Sequence, residues 1–173
     1  FQQINKREYK YKDSTVSLLD TGVETMTGGR IKKAIEELEL SEFMLTYGDG
    51  IADVNIDELY EFHKSNKLLG TVTAVRPPAR FGSLVIEDNI VKQFGEKNQA
   101  DEGWINGGFF VLDRKIRSYI ENENTVFEQE PLENLAKDGE LGSYMHTGFW
   151  QPVDTVREKE LLEEQLKKKI FEW

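Results

Sequence analysis

Eight residues, Phe43-Met44-Leu45-Thr46-Tyr47-Gly48-Asp49-Gly50, constrain this chain more than any other stretch, because an apolar run stops abruptly at an acid held between two glycines. A short apolar run with helical patterns on either side reads as a strand buried on both faces of a parallel sheet. In open α/β sheets the binding crevice lies beyond the carboxyl ends of the strands, and glycines allow a ligand to approach the backbone there. Asp49 therefore stands where a phosphate-bound Mg²⁺ would sit. The same Gly-Asp-Gly also reads as a plain tight turn, since both residue types favour one, and the stretch alone leaves the two readings open.

The chain has 173 residues, enough for one domain with a proper core, and the expectation is a single domain over residues 1–173. No apolar run approaches the roughly 18 residues that a membrane span needs. The chain has no cysteine, which excludes disulfides, a thiol nucleophile and zinc–thiolate sites. Any metal ligand must then be oxygen or histidine, and the cysteine usage is compatible with the cytoplasm, the expected location. A formal net charge of −10 argues against broad affinity for nucleic acid, while leaving room for a small anionic substrate held by a few local cations or Mg²⁺. The chain opens at Phe1 without a signal-peptide core or a helix start, and the expectation is a piece of a longer protein.

In chain order, Tyr9 to Leu19 reads as a strand entering the sheet. Thr25-Met26-Thr27-Gly28-Gly29-Arg30 precedes Ile31, Ala34, Ile35 and Leu38, which have the spacing of an amphipathic helix. Glycines at a helix N-terminus suit an anion, with Arg30 as an added cation. They equally suit an ordinary loop before a surface helix. Asn55 to Glu58 forms a capping box for a helix carrying Leu59 and His63, and Thr71 to Val75 is a strand ended by Arg76-Pro77-Pro78. Helix between strands suggests a βαβ unit. Residues 81–86 and 90–94 flank a polar turn as a hairpin, followed by Glu96-Lys97, which reads as a solvated edge or a substrate-facing pair. Trp104 to Leu112 is a dense strand interrupted by Asn106-Gly107-Gly108, a gap that suggests the close approach of a ligand. Two short helices, around Ile116 to Ile120 and Pro131 to Asp138, precede a last strand, Leu141 to His146, in which His146 reads as a packed or edge residue. A charged helix carrying Leu162, Leu166 and Ile170 then starts at Asp154 or Thr155, with Glu158 completing a box. Asp154 reads either as a cap or as an ionised metal ligand favoured by the helix dipole.

Six ordered motifs carry a resemblance: Thr25–Arg30, Tyr47-Gly48-Asp49-Gly50, Arg80-Phe81-Gly82, Glu96-Lys97, Trp104 to Phe110, and Gly148-Phe149-Trp150-Gln151-Pro152-Val153-Asp154-Thr155. From about Thr15 onward the chain resembles glucose-1-phosphate cytidylyltransferases, within the sugar nucleotidyltransferases. The resemblance implies an α/β Rossmann-like α/β/α sandwich around a mixed, mostly parallel sheet, of which this chain would be the C-terminal two thirds, the N-terminal part missing. It implies CTP and glucose 1-phosphate as substrates, CDP-glucose and pyrophosphate as products, Mg²⁺ as cofactor and a homo-oligomer as the assembly. Residue by residue, it implies Asp49 and Asp154 as Mg²⁺ ligands, Thr25, Arg30 and Gly48 at the nucleotide, and Lys97 on the sugar phosphate. Gly82, Glu96, Asn106 and Gly107 would line the sugar. Charge neutralisation and in-line positioning are what phosphoryl transfer between two anions needs, and no protein nucleophile is required.

Two departures stand out. The family's glycine-rich Gly-x-Gly-Thr-Arg signature loop is not in this sequence, and Asn98 follows Lys97 where many relatives have proline. Two other readings compete: a metal-dependent glycosyltransferase using Asp49 and Asp53, and a non-catalytic nucleotide-sugar binding module.

Overall fold

The computed structural model describes residues 2–3, 7–77, 82–87, 90–96 and 103–168. In chain order its elements are β1 (Gln2–Gln3), β2 (Glu8–Tyr11), β3 (Ser14–Ser17), α1 (Thr27–Glu37), β4 (Glu42–Thr46), β5 (Gly50–Ala52), α2 (Ile56–Asn66), β6 (Gly70–Val75), β7 (Gly82–Glu87), β8 (Ile90–Glu96), β9 (Ile105–Asp113), a 3₁₀ turn (Arg114–Tyr119), α3 (Glu130–Lys137), β10 (Leu141–Met145), β11 (Trp150–Pro152) and α4 (Val156–Lys167). They group into two compact units, Phe1–Ser41 with Arg114–Lys137 and Glu42–Asp113 with Asp138–Trp173.

In the first unit β1, β2 and β3 form a small antiparallel sheet of their own. The stretch expected as one strand over Tyr9 to Leu19 is instead a hairpin. Its turn runs through Lys12 at φ 52°, a left-handed residue without the glycine that would have announced it. Ile31 and Ile35 on α1, Ile116 and Ile120 around the 3₁₀ turn, Phe127 and Leu135 are the buried apolar residues of this unit. Helix α3 starts with Pro131 in its first turn and is followed by Gly139 at φ +73°, the asymmetry expected of helix ends.

The second unit is built on a four-stranded mixed sheet of order β10-β6-β9-β4. Strands β10 and β6 are parallel, and β9 runs antiparallel to both β6 and β4. Strands β4, β6 and β10 thus share a direction, and β4-α2-β6 is a βαβ unit whose strands are separated by β9. The fold is mixed α/β with a mixed sheet. Strand β4 is not buried on both faces as expected: it ends the described sheet with a single ladder, and Met44 is 46% exposed. An apolar run of five residues has the same composition at a sheet edge as at its centre, so the pattern does not separate the two.

Ala74, Val75, Phe110, Val111 and Leu112 form the sheet's core with Leu59 of α2, and Leu162 is the buried residue of α4. Each fully buried aliphatic or aromatic side chain here contributes roughly 1.5–3 kcal/mol. Helix α2 begins as the sequence requires, with the Asn55 side chain accepting from Glu58 N–H at 3.1 Å.

His63 is buried on α2, 2.9 Å from Thr71 Oγ1 and 3.6 Å from the Glu42 carboxylate, which also accepts from Tyr60 and Lys64. Desolvation holds the imidazole below its ordinary pKa, against the opposing pull of Glu42. The unfolded chain therefore binds more protons than the folded one as pH falls through about 6.5, so His63 removes stability on acidification until the folded imidazole also protonates. Glu42, held below its ordinary value chiefly by the Tyr60 hydroxyl, adds a second loss at lower pH as its own folded pKa is crossed. Urea midpoints measured from pH 8 to pH 5.5 should fall, and His63→Gln should flatten that slope. An unchanged slope in the variant would assign the pH dependence elsewhere.

Candidate active site

The site of the second unit lies where β4 ends, β5 and β11 pair, and β9 begins. Strand β9 enters with an irregularity: Val72 faces Phe110 and Ala74 faces Asn106, so two residues' advance on β6 matches four on β9. The excess falls on Asn106-Gly107-Gly108-Phe109. A Cβ on Gly107 would meet Val75 Cγ1 at 2.7 Å and Thr73 O at 3.0 Å, and one on Gly108, at φ +80°, would meet the Tyr47 ring at 2.7 Å. The glycines expected to admit a ligand thus admit the protein's own β6 and Tyr47.

That bulge is tied to the end of β4 on both sides. Tyr47 N–H donates to Gly108 O at 3.0 Å, and the Asn106 amide donates to the Tyr47 hydroxyl at 3.1 Å while its Oδ1 accepts from Gly108 N–H at 2.8 Å. Trp150 Nε1 reaches Gly107 O at 2.8 Å from β11. Asn106 therefore holds the loop's shape with both ends of its amide, and Tyr47 and Trp150 are site-building residues that the sequence reading did not single out. The Trp150 signal lay in the motif Phe149-Trp150-Gln151-Pro152, whose aromatic has no helical or strand period to place it.

Asp49 and Asp154 flank the same end of a three-residue antiparallel ladder. Gly50, Ile51 and Ala52 face Pro152, Gln151 and Trp150, and Val153 N–H donates to Asp49 O at 2.8 Å, so the residue preceding Asp154 is bonded to Asp49 itself. Both acids are exposed, and among the described residues neither carboxylate has a hydrogen bond or ion pair. The capping role belongs to Thr155: its hydroxyl accepts from Glu158 N–H at 3.2 Å, and Glu158 Oε2 accepts from Thr155 N–H at 2.9 Å and Asp154 N–H at 3.0 Å. The Asp154 carboxylate is therefore not used as the cap. Two hard carboxylate donors fit Mg²⁺, which takes one or two acids and completes its shell with water and substrate phosphate oxygens. No group of three or more acids, histidines or cysteines with metal-ligand spacing exists among the described residues. Gly48 is exposed with open space where a Cβ would lie, so its backbone is approachable.

Other expected residues have other surroundings. Thr25 and Arg30 belong to the first unit. Thr25 is buried and its hydroxyl donates to Thr21 O, while Arg30 donates to Thr21 Oγ1 and Val23 O. Both brace the loop ahead of α1. At the start of α1 the N-cap Met26 N–H donates to Glu123 O at 2.8 Å and the Gly28 N–H to Thr125 O at 2.9 Å. The glycines expected to cradle an anion instead let residues 123–125 approach the helix. Gly82 and Glu96 face each other across the β7–β8 hairpin. Arg80, Phe81, Lys97, Asn98 and Ile170 lie outside the described residues.

Asp53, the second acid of the glycosyltransferase reading, is engaged: His146 Nε2 lies 2.9 Å from its Oδ1. Among the described residues no helix is long and apolar enough to cross a membrane.

No family model matches the chain. Curated relatives do. The chain is 49% identical over 149 residues to the glucose-1-phosphate cytidylyltransferases of Salmonella typhi and of Salmonella typhimurium LT2, covering 86% of this chain and 58% of each relative. It thus spans somewhat over half the length of the curated relatives it matches. Among solved structures, HddC from Yersinia pseudotuberculosis aligns with a TM-score of 0.65 at 24% identity over 89% of this chain and 68% of that one. An apo UDP-glucose pyrophosphorylase aligns with a TM-score of 0.64 at 15% identity, over 90% and 64%. These structural likenesses show the fold, a mixed α/β fold with a mixed sheet, and the similarity to glucose-1-phosphate cytidylyltransferases rests on the curated relatives.

Proposed function

We propose that the protein is a nucleotidyltransferase that makes CDP-glucose and pyrophosphate from CTP and glucose 1-phosphate, with Mg²⁺, for nucleotide-sugar and surface polysaccharide biosynthesis. The observation that carries this reading is the ladder end where Asp49 is bonded to the residue preceding Asp154, in a chain 49% identical to relatives of that name. In the reaction a phosphate oxygen of glucose 1-phosphate attacks the α-phosphorus of CTP, the bond to the β-phosphate breaks, and pyrophosphate leaves. Bound Mg²⁺ would neutralise the phosphate charge that otherwise keeps the two anions apart.

The chain's own residues bind and orient. Asp49 and Asp154 would hold the metal, the exposed backbone at Gly48 would admit the nucleotide, and Thr25 and Arg30 are assigned to the nucleotide by resemblance. By resemblance, Asn106, Gly107, Gly82 and Glu96 are assigned to the sugar and Lys97, as a point charge, to its phosphate. The protein acts in the cytoplasm as a homo-oligomer on this reading. The glycosyltransferase alternative is less well supported, because the Asp53 carboxylate is already held by His146.

Pyrophosphate release by the intact gene product carrying this sequence tests the proposal, with CTP, UTP, GTP and dTTP each offered with glucose 1-phosphate. Mg²⁺-dependent release fastest with CTP is expected, and release with none of the four would reject the activity. Lys97→Ala should raise KM for glucose 1-phosphate by about tenfold or more, on the order of a lost charge-assisted hydrogen bond, with a smaller effect on KM for CTP. Equal losses for both substrates would place Lys97 elsewhere.

A further inference from the structure

We propose that Asp53 and His146 are a positioning pair that fixes the separation of Asp49 and Asp154, a role resting on the metal-site reading above. A ladder of three residue pairs is too short to hold its register alone. The β5–β11 ladder is closed at both ends. At one end Val153 N–H bonds Asp49 O; at the other, Asp53 N–H donates to Phe149 O at 3.1 Å. His146 crosses that second end, with Nε2 2.9 Å from Asp53 Oδ1 and 3.1 Å from Phe149 O. Both partners are acceptors, so Nε2 carries the hydrogen and shares it between them.

The histidine is itself anchored. Its backbone N–H donates to Ala74 O at 2.9 Å, which ties it to the end of β6, and its side chain is only 9% exposed. Gly148 completes the closure: a Cβ there would collide with Asp53 Oδ1 and meet His146 Cε1 at 2.7 Å. The pair therefore joins the central sheet, the exit of β5 and the entry of β11 at a single point. Because β5 leads from Asp49 to Asp53 and β11 leads from Phe149 to Asp154, loosening this point frees one acid to drift against the other. The hydrogen bond from His146 to a carboxylate is charge-assisted and half-buried, which makes it stronger than a neutral contact at the surface. Asp53 serves as the acceptor of this bond and not as a third metal acid.

The test is Mn²⁺ binding, followed by loss of the free-ion electron paramagnetic resonance signal, on the intact protein at a temperature where every variant is folded. Asp49→Asn and Asp154→Asn should abolish binding. His146→Ala and Asp53→Ala should each weaken it by about tenfold or more, the usual consequence of removing a group that orients metal ligands. Asp53→Asn keeps an acceptor and His146→Gln keeps an amide donor, so both should stay within about threefold of wild type on the same scale. A purely structural clasp would lower the melting temperature of the alanine variants without moving Mn²⁺ affinity. Folded His146→Ala with wild-type affinity, beside a dead Asp49→Asn, would overturn the pair and leave the metal site standing. Unchanged binding in Asp49→Asn would overturn the metal reading and the pair's role with it. If His146→Ala fails to fold, Asp53→Ala against Asp53→Asn decides, and equal affinities in those two would overturn the proposal.

Discussion

Asp154→Asn and Asp49→Asn should each lower pyrophosphate release by at least about a hundredfold while leaving the melting temperature nearly unchanged. Removing one carboxylate from a two-acid Mg²⁺ site takes away charge compensation at the transferring phosphoryl group, an effect on the order of 3 kcal/mol or more. The fold has little stake in either side chain, since both are exposed and neither has a side-chain partner among the described residues. The cap of α4 is made by Thr155 and Glu158 and survives the substitution. Thr155→Ala should do the reverse, destabilising the helix by about 1 kcal/mol with turnover largely kept. Near-normal turnover of Asp154→Asn at saturating Mg²⁺ would remove Asp154 from the metal site.

Gly29→Ala should be the most destabilising methyl addition in the first unit. A Cβ there would lie 2.6 Å from Glu123 O and 2.7 Å from Glu123 Cα and Thr25 Cγ2, and two of those three atoms are backbone. Overpacking against backbone costs about 1–3 kcal/mol, and for a chain of this length that lowers Tm by roughly 6–12 °C at the upper end. Gly48→Ala provides the comparison, with nothing within 4 Å of its Cβ, and should leave Tm within about 1 °C on the same scaling. Equal Tm for wild type and Gly29→Ala, read by calorimetry, would mean that the 123–125 loop moves freely away from α1.

The same glycine shows where sequence reasoning stops. Local chemistry was legible: the Asn55–Glu58 and Thr155–Glu158 caps, the proline-to-glycine span of α3 and the β7–β8 hairpin all depend on residues a few positions apart. Gly28 and Gly29 looked like an anion cradle because their true neighbours, Glu123 and Thr125, are distant in sequence. The Asn106-Gly107-Gly108 gap likewise has neighbours, Val75 and Tyr47, that are distant in sequence and that its spacing does not reveal. Strand β4 read as central because its apolar run carries no mark of having one ladder. Asp49 and Asp154 each read as a possible metal ligand from their own segments and were paired by resemblance; that they flank one ladder end follows only from the β5–β11 pairing. The Asp53–His146 bond had no sequence signal, since nothing in either segment points to the other residue.

The most direct test of the central claim is a crystal structure of the intact protein with CTP and Mn²⁺, phased to show the anomalous signal of the metal. The account predicts one metal bound by carboxylate oxygens of both Asp49 and Asp154 at about 2.1 Å, the spacing of a hard divalent ion in an oxygen shell, with phosphate oxygens of the nucleotide completing its coordination. A metal–nucleotide complex seated away from these two acids, or ligated by Asp53 in place of Asp154, would contradict it.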